Sequence, residues 1–132
     1  MIGLDTNVLL RVVDQSDPDQ SRAVDALLSD PAQRPCFVNL VVLCEFAWTL
    51  DRTYKRRRPE IAERLSHLLE APEFEIERSE LAERALSRYR DGGADFADYV
   101  LAEVNREAGC RTTLTFDRLA LETAELFQPV SM

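Results

Sequence analysis

Four short strand-like segments, at residues 1–4, 36–38, 74–76 and 111–115, alternate along the chain with longer stretches of helical periodicity. Strands separated by helices predict parallel pairing in a sheet covered on both faces, because each connection must cross back over the sheet. Local signals divide the chain further. Ser16-Asp17-Pro18-Asp19 opens a helix whose apolar stripe is Ala23, Val24, Ala26, Leu27 and Leu28. Asn39 caps a helix expected to carry Val42, Glu45, Phe46 and Thr49 on one face, and Pro59 starts another that turns Ile61, Leu65, Leu68 and Leu69 inward. Ser79 caps a helix containing Leu81, Ala82, Ala85 and Leu86. Gly92-Gly93 separates it from a helix beginning near Asp95 and ending at Gly109, and residues 127–130 read as an edge strand. Met1 to Leu4 reads as a buried first strand. The whole, residues 1–132, is expected to form one domain with its own core.

With 24 acidic and 16 basic residues, the net charge of −8 argues against a protein that coats nucleic acid through bulk positive charge. It does not exclude a nuclease, since carboxylates that hold a metal add to the negative count. No apolar run is long enough to cross a bilayer and the N-terminus lacks signal-peptide features, so a cytoplasmic protein with no membrane partner is expected. Cys36, Cys44 and Cys110 lack the pairing of a zinc site and are expected as reduced, mostly buried thiols. His67, the one histidine, reads as a surface residue, which leaves a histidine-based ribonuclease mechanism without its base.

Chemistry is suggested by four acids in apolar surroundings: Asp5 in G-L-D-T-N, Glu45 in V-L-C-E-F-A-W, Asp98 in D-F-A-D-Y-V, and Asp117 in T-F-D. Buried ionised carboxylates are costly unless their charge is compensated, and a divalent cation compensates several at once. Each has a structural reading beside this one. Asp5 and Asp117 suit helix N-caps, while Asp95 and Asp98 suit the two ends of a capping box. Glu45, inside a helix and flanked by Val42, Phe46 and Trp48, fits no cap. Phosphodiester hydrolysis without a nucleophilic side chain needs an activated water and a stabilised leaving oxygen, and Mg²⁺ or Mn²⁺ held by carboxylates supplies both.

G-L-D-T-N-V-L-L, the acid in V-V-L-C-E-F-A-W-T-L, G-A-D-F-A-D-Y-V-L-A and T-F-D resemble, in that order, the motifs of the PIN domain, specifically those of VapC toxins of type II toxin-antitoxin modules. The resemblance implies an α/β fold, a PIN-like three-layer α/β/α sandwich with a central, mainly parallel sheet. It also implies Mg²⁺- or Mn²⁺-dependent endoribonuclease activity, homodimers, higher toxin-antitoxin assemblies and inhibition by a cognate VapB-like antitoxin. The acidic quartet that acts as metal ligands and catalytic residues falls on Asp5, Glu45, Asp98 and Asp117, with Asp95 ranked second. Thr6, Asn7 and Thr115 are expected to shape the site through hydrogen bonds.

Two other classes stay open: a metal-dependent nuclease outside a toxin-antitoxin pair, and a non-catalytic PIN-like binding module in which the acids only stabilise the fold or receive a partner's arginines. The basic stretch Arg52, Lys55, Arg56, Arg57 and Arg58 reads either as an RNA backbone contact or as cations favourable at a helix C-terminus. Phe46 and Trp48 read as core. Apolar positions near residues 23–28 and 61–69 read chiefly as core, with a groove for an antitoxin helix as the other reading.

Overall fold

A computed structural model describes residues Met1–Ser131. Its helices are α1 (Thr6–Leu10), α2 (Pro18–Ser29), α3 (Leu40–Arg52), α4 (Arg58–Glu70), α5 (Ser79–Asp91), α6 (Phe96–Glu107) and α7 (Arg118–Leu121); the strands are β1 (Cys36–Val38), β2 (Phe74–Ile76), β3 (Thr113–Thr115) and β4 (Phe127–Pro129). The boundary chemistry is the expected one at most ends. The Asp17 carboxylate accepts from the N–H groups of Asp19 and Gln20, and the Asn39 side chain accepts from Val42 N at 2.8 Å. At α5 the cap is Arg78 rather than Ser79, held at φ 48°.

All strand pairing is parallel, and it forms two ladders. β1 pairs with β2 in the register Phe37 to Glu75, and β3 pairs with β4 in the register Leu114 to Gln128. The first apolar run joins β1 through one bridge, Gly3 to Phe37, with Leu4 N donating to Phe37 O and Phe37 N donating to Ile2 O. No ladder among the described residues links this run to β3. The expectation of a buried first strand is therefore corrected: Met1 is 78% and Ile2 40% exposed, and only Leu4 enters the core. With a partner on one side only, the run has a free edge and less apolar surface covered.

One connected core takes residues from Leu4 to Phe127, including Leu43, Phe46, Leu65, Leu81 and Tyr99. α6 lies against both α3 and α5, and α1 packs on α3. The stripe of α5 and Ile61, Leu65 and Leu68 of α4 are buried as expected, Leu69 is half-buried, and Ala23 and Ala26 of α2 are exposed. The thiols divide: Cys36 is buried, Cys44 half-buried and Cys110 exposed, which corrects the expectation for the last. His67 lies at the surface, its Nε2 3.2 Å from Glu63. Among the described residues no helix is long and apolar enough to cross a membrane.

Candidate active site

Helix starts and one helix face carry the candidate acids. Asp5 caps α1, its Oδ1 accepting from Thr6 N at 2.7 Å, and Asp117 caps α7, its Oδ1 accepting from Leu119 N at 2.9 Å. Asp98 sits in the first turn of α6, where its Oδ2 accepts from Asp95 N at 3.2 Å. Each cap engages one carboxylate oxygen and leaves the other for a ligand. The structural and functional readings of these acids are thus compatible.

The premise that burial makes these charges costly is corrected. Asp5, Glu45 and Asp117 are exposed, and Asp98 is the half-buried member. Sequence context misled because apolar neighbours on a helix point around the whole barrel: Phe46 and Leu43 turn inward while Glu45 turns out. Trp48, expected in the core, is likewise 53% exposed, whereas Phe46 is buried as expected.

Electrostatics draws several of these groups into one neighbourhood. Burial pushes the Asp98 carboxyl above its ordinary range; the hydrogen bond from Asp95 offsets part of this, and the negative charges of Asp95 and Asp117 add to it. The Cys44 thiol is pushed up to about 11, first by burial and then by the charges of Asp98 and Glu45. Acids from α3, the start of α6 and the start of α7 therefore act on one region. Asp95 is partly compensated, since Arg52 donates to its Oδ2 at 3.1 Å. Asp5 belongs to α1, which rests on α3, and makes no contact with the other three acids in the hydrogen-bond pattern.

Among the supporting residues, Thr115 Oγ1 accepts from Asp117 N at 3.0 Å and so orients the last acid. Thr6 is buried with its hydroxyl unpartnered, and Asn7 is exposed. The loop that delivers α6 is pinned by residues that sequence reasoning passed over. Tyr99 Oη accepts from Ala94 N at 3.2 Å, and Arg58 donates to Tyr89 O at 2.7 Å and to Ala94 O, with its guanidinium 3.9 Å over the Tyr89 ring. Gly92 must be glycine here, because a Cβ would meet Tyr99 Oη at 1.9 Å. Among the described residues the buried acid is Glu103, bridged to Arg84 at 3.1 Å, and no local sequence pattern marked it. A cavity of about 720 Å³ adjoins Glu103 and is lined by none of the five candidate acids.

Hard carboxylate oxygens are the right donors for Mg²⁺ or Mn²⁺. Their spacing is looser than a coordination sphere: among the described residues, no three His, Cys, Asp or Glu side chains group closely enough to hold one ion.

The fold and the exposed acids at its helix starts are those of an α/β domain with parallel strands. The chain matches the PIN domain family over residues 2–126 and belongs to it. No curated protein matches the chain. PIN domains are generally nucleases that use divalent metal ions, so the broad class of chemistry is hydrolysis of nucleic acid.

Proposed function

We propose that this PIN domain is a Mg²⁺- or Mn²⁺-dependent endoribonuclease and the toxin of a type II toxin-antitoxin module. The observation that carries the reading is the shared negative field at Cys44 and Asp98, to which Glu45, Asp98 and Asp117 contribute from three separate elements. Like charges gathered on an open surface favour a cation. Asp5, Glu45, Asp98 and Asp117 would hold the divalent ion, which would supply a nucleophilic water near neutral pH and neutralise developing charge. The chain's own part is to hold those oxygens through the helix caps and to orient the attacking water with whichever carboxylate oxygen stays free. The acids' exposure suits a polymer that must lie across the surface rather than enter a pocket.

A VapB-like antitoxin is the proposed partner. A groove of about 540 Å³ between α2 and α4, with Val12, Val13, Leu28, Leu68 and Phe74 in its lining, has the apolar floor that an amphipathic helix requires. Homodimers and higher toxin-antitoxin assemblies are proposed with it; Leu114, Phe116 and Leu119, at 58%, 73% and 50% exposure, offer apolar surface for a second copy.

The test is to purify the chain without its partner, incubate it with RNA in EDTA and then with added Mg²⁺ or Mn²⁺, and map the ends formed. Metal-dependent internal cleavage is expected. A protein that binds RNA yet never cuts it is instead a binding module. Co-expression with the product of the adjacent gene should yield an inactive complex, and failure to do so leaves a PIN nuclease outside a toxin-antitoxin pair.

A further inference from the structure

Val41, Glu45, Trp48 and Arg52 follow one another on α3 at steps of four, three and four, so they form a single strip along the helix. The strip faces solvent: Val41 is 66% and Trp48 53% exposed, and Glu45 and Arg52 are exposed as well. Trp48 is therefore one turn from a proposed catalytic acid. Beyond the strip the chain leaves α3 through a tight turn, in which Arg56 N donates to Leu50 O at 2.9 Å and Lys55 takes the left-handed conformation at φ 55°.

The basic stretch at this turn is not uniform. Arg52 is bound to Asp51 and Asp95, Arg56 lies 3.5 Å from Glu60, and Arg58 is committed to Tyr89 and Ala94. Among the described residues Lys55 and Arg57 enter no ion pair, and both are exposed. A left-handed position favours glycine, so a lysine there keeps its charge at some cost to the fold. An exposed indole leading from an acid to two free cations is the pairing that single-stranded nucleic acid requires, a stacking face for a base and positive charge for its backbone. Lys55 lies three residues past the end of α3, in the turn that follows the strip, and Arg57 lies two residues further on.

Resting on the ribonuclease reading, we propose that Trp48 stacks on a base of single-stranded RNA beside the bond cleaved at Glu45, and that Lys55 and Arg57 hold the adjoining phosphates. Trp48 is then a substrate-positioning residue and belongs to neither the core nor a protein interface.

Trp48 is the single tryptophan of the sequence, so its fluorescence reports on this face alone. In EDTA, a short single-stranded RNA should quench the emission saturably, and the same RNA annealed to its complement should not. With Mg²⁺ or Mn²⁺, Trp48→Ala should raise KM roughly ten-fold with little change in kcat, whereas Trp48→Phe should keep most of the affinity. Lys55→Gly should raise Tm while weakening RNA binding. If RNA is cut but the emission ignores it, or if Trp48→Ala leaves KM unchanged, the stacking role is overturned while the nuclease stands. An emission that shifts to the blue with protein concentration and not with RNA assigns the face to a second copy and also overturns it. Absence of cleavage by the unmodified protein overturns the ribonuclease reading itself.

Discussion

The Arg52 guanidinium donates to the Asp95 carboxylate at 3.1 Å, tying the last turn of α3 to the residue that caps α6. The pair spans the helix that carries Glu45 and the helix that carries Asp98, which also pack directly on one another. It also compensates the Asp95 charge, while Asp98, one turn on, enters no ion pair among the described residues. Two acids three residues apart are thereby given different work, and single substitutions should separate them.

Asp98→Asn, Asp5→Asn, Glu45→Gln and Asp117→Asn are each expected to reduce RNA cleavage by roughly 100-fold or more, the scale for loss of a preorganised electrostatic group. Asp95→Asn should be milder, since asparagine also caps helices and the acid is already paired with Arg52. Steady-state rates at saturating RNA, with thermal melts of each variant, provide the measurement. Equal losses at Asp95 and Asp98 would place both acids at the metal.

Metal should stabilise the protein as well as activate it. Among the described residues these carboxylates do not group around one point, so bringing three or four of them to one ion must close the surface around Asp98. Since ligand that binds only the folded state raises stability by mass action, Tm should increase with Mg²⁺ or Mn²⁺ concentration, and Asp98→Asn should blunt the increase. A melting temperature indifferent to either ion contradicts a metal site at these residues.

Gly92→Ala should destabilise the fold by about 2 kcal/mol, as a new methyl overpacks the Tyr99 hydroxyl. Tyr99→Phe should cost about 1–3 kcal/mol by leaving the buried Ala94 N–H without an acceptor. Urea melts measure both. Because this loop delivers Asp95 and Asp98, the variants should also lose activity at temperatures where they remain folded.

Acid should loosen the turn after α1. Hydrogen bonds from Ser16 and Tyr54, with the Arg11 charge, hold the Asp14 carboxyl well below the usual carboxylate range. A carboxyl depressed in the folded state stabilises it above the unfolded value of about 4, and that contribution fades as the pH falls toward the folded value. Tm should therefore drop through the region below about pH 4. Asp14→Asn should lower Tm at neutral pH and flatten the decline; an unchanged slope would remove Asp14 from the acid response.

Much of the fold was legible along the chain because caps, prolines and periodicity act over a few residues. Asp17 and Pro18 start α2, Asn39 starts α3, and Asp95 with Asp98 frames α6 from information contained within one helical turn. The order of motifs likewise carried the family, and the acids could be named before any contact was known.

Which side of a helix faces water, and what lies across from it, is decided by packing between segments far apart in sequence. The apolar context of Glu45 and Trp48 suggested burial, yet α1 and α6 settle on other sides of α3 and leave both exposed. Five clustered basic residues looked alike in the sequence; contacts with Asp95, Glu60, Tyr89 and Ala94 leave only Lys55 and Arg57 unpaired among the described residues. Glu103 gave no signal because its partner Arg84 comes from another helix. Sequence alone determined the local starts and stops, the parallel α/β class and the identity of the acids, since each depends on neighbouring residues. Tertiary structure decided exposure, charge pairing and the field at Asp98, since burial and Coulomb interactions depend on distance in space.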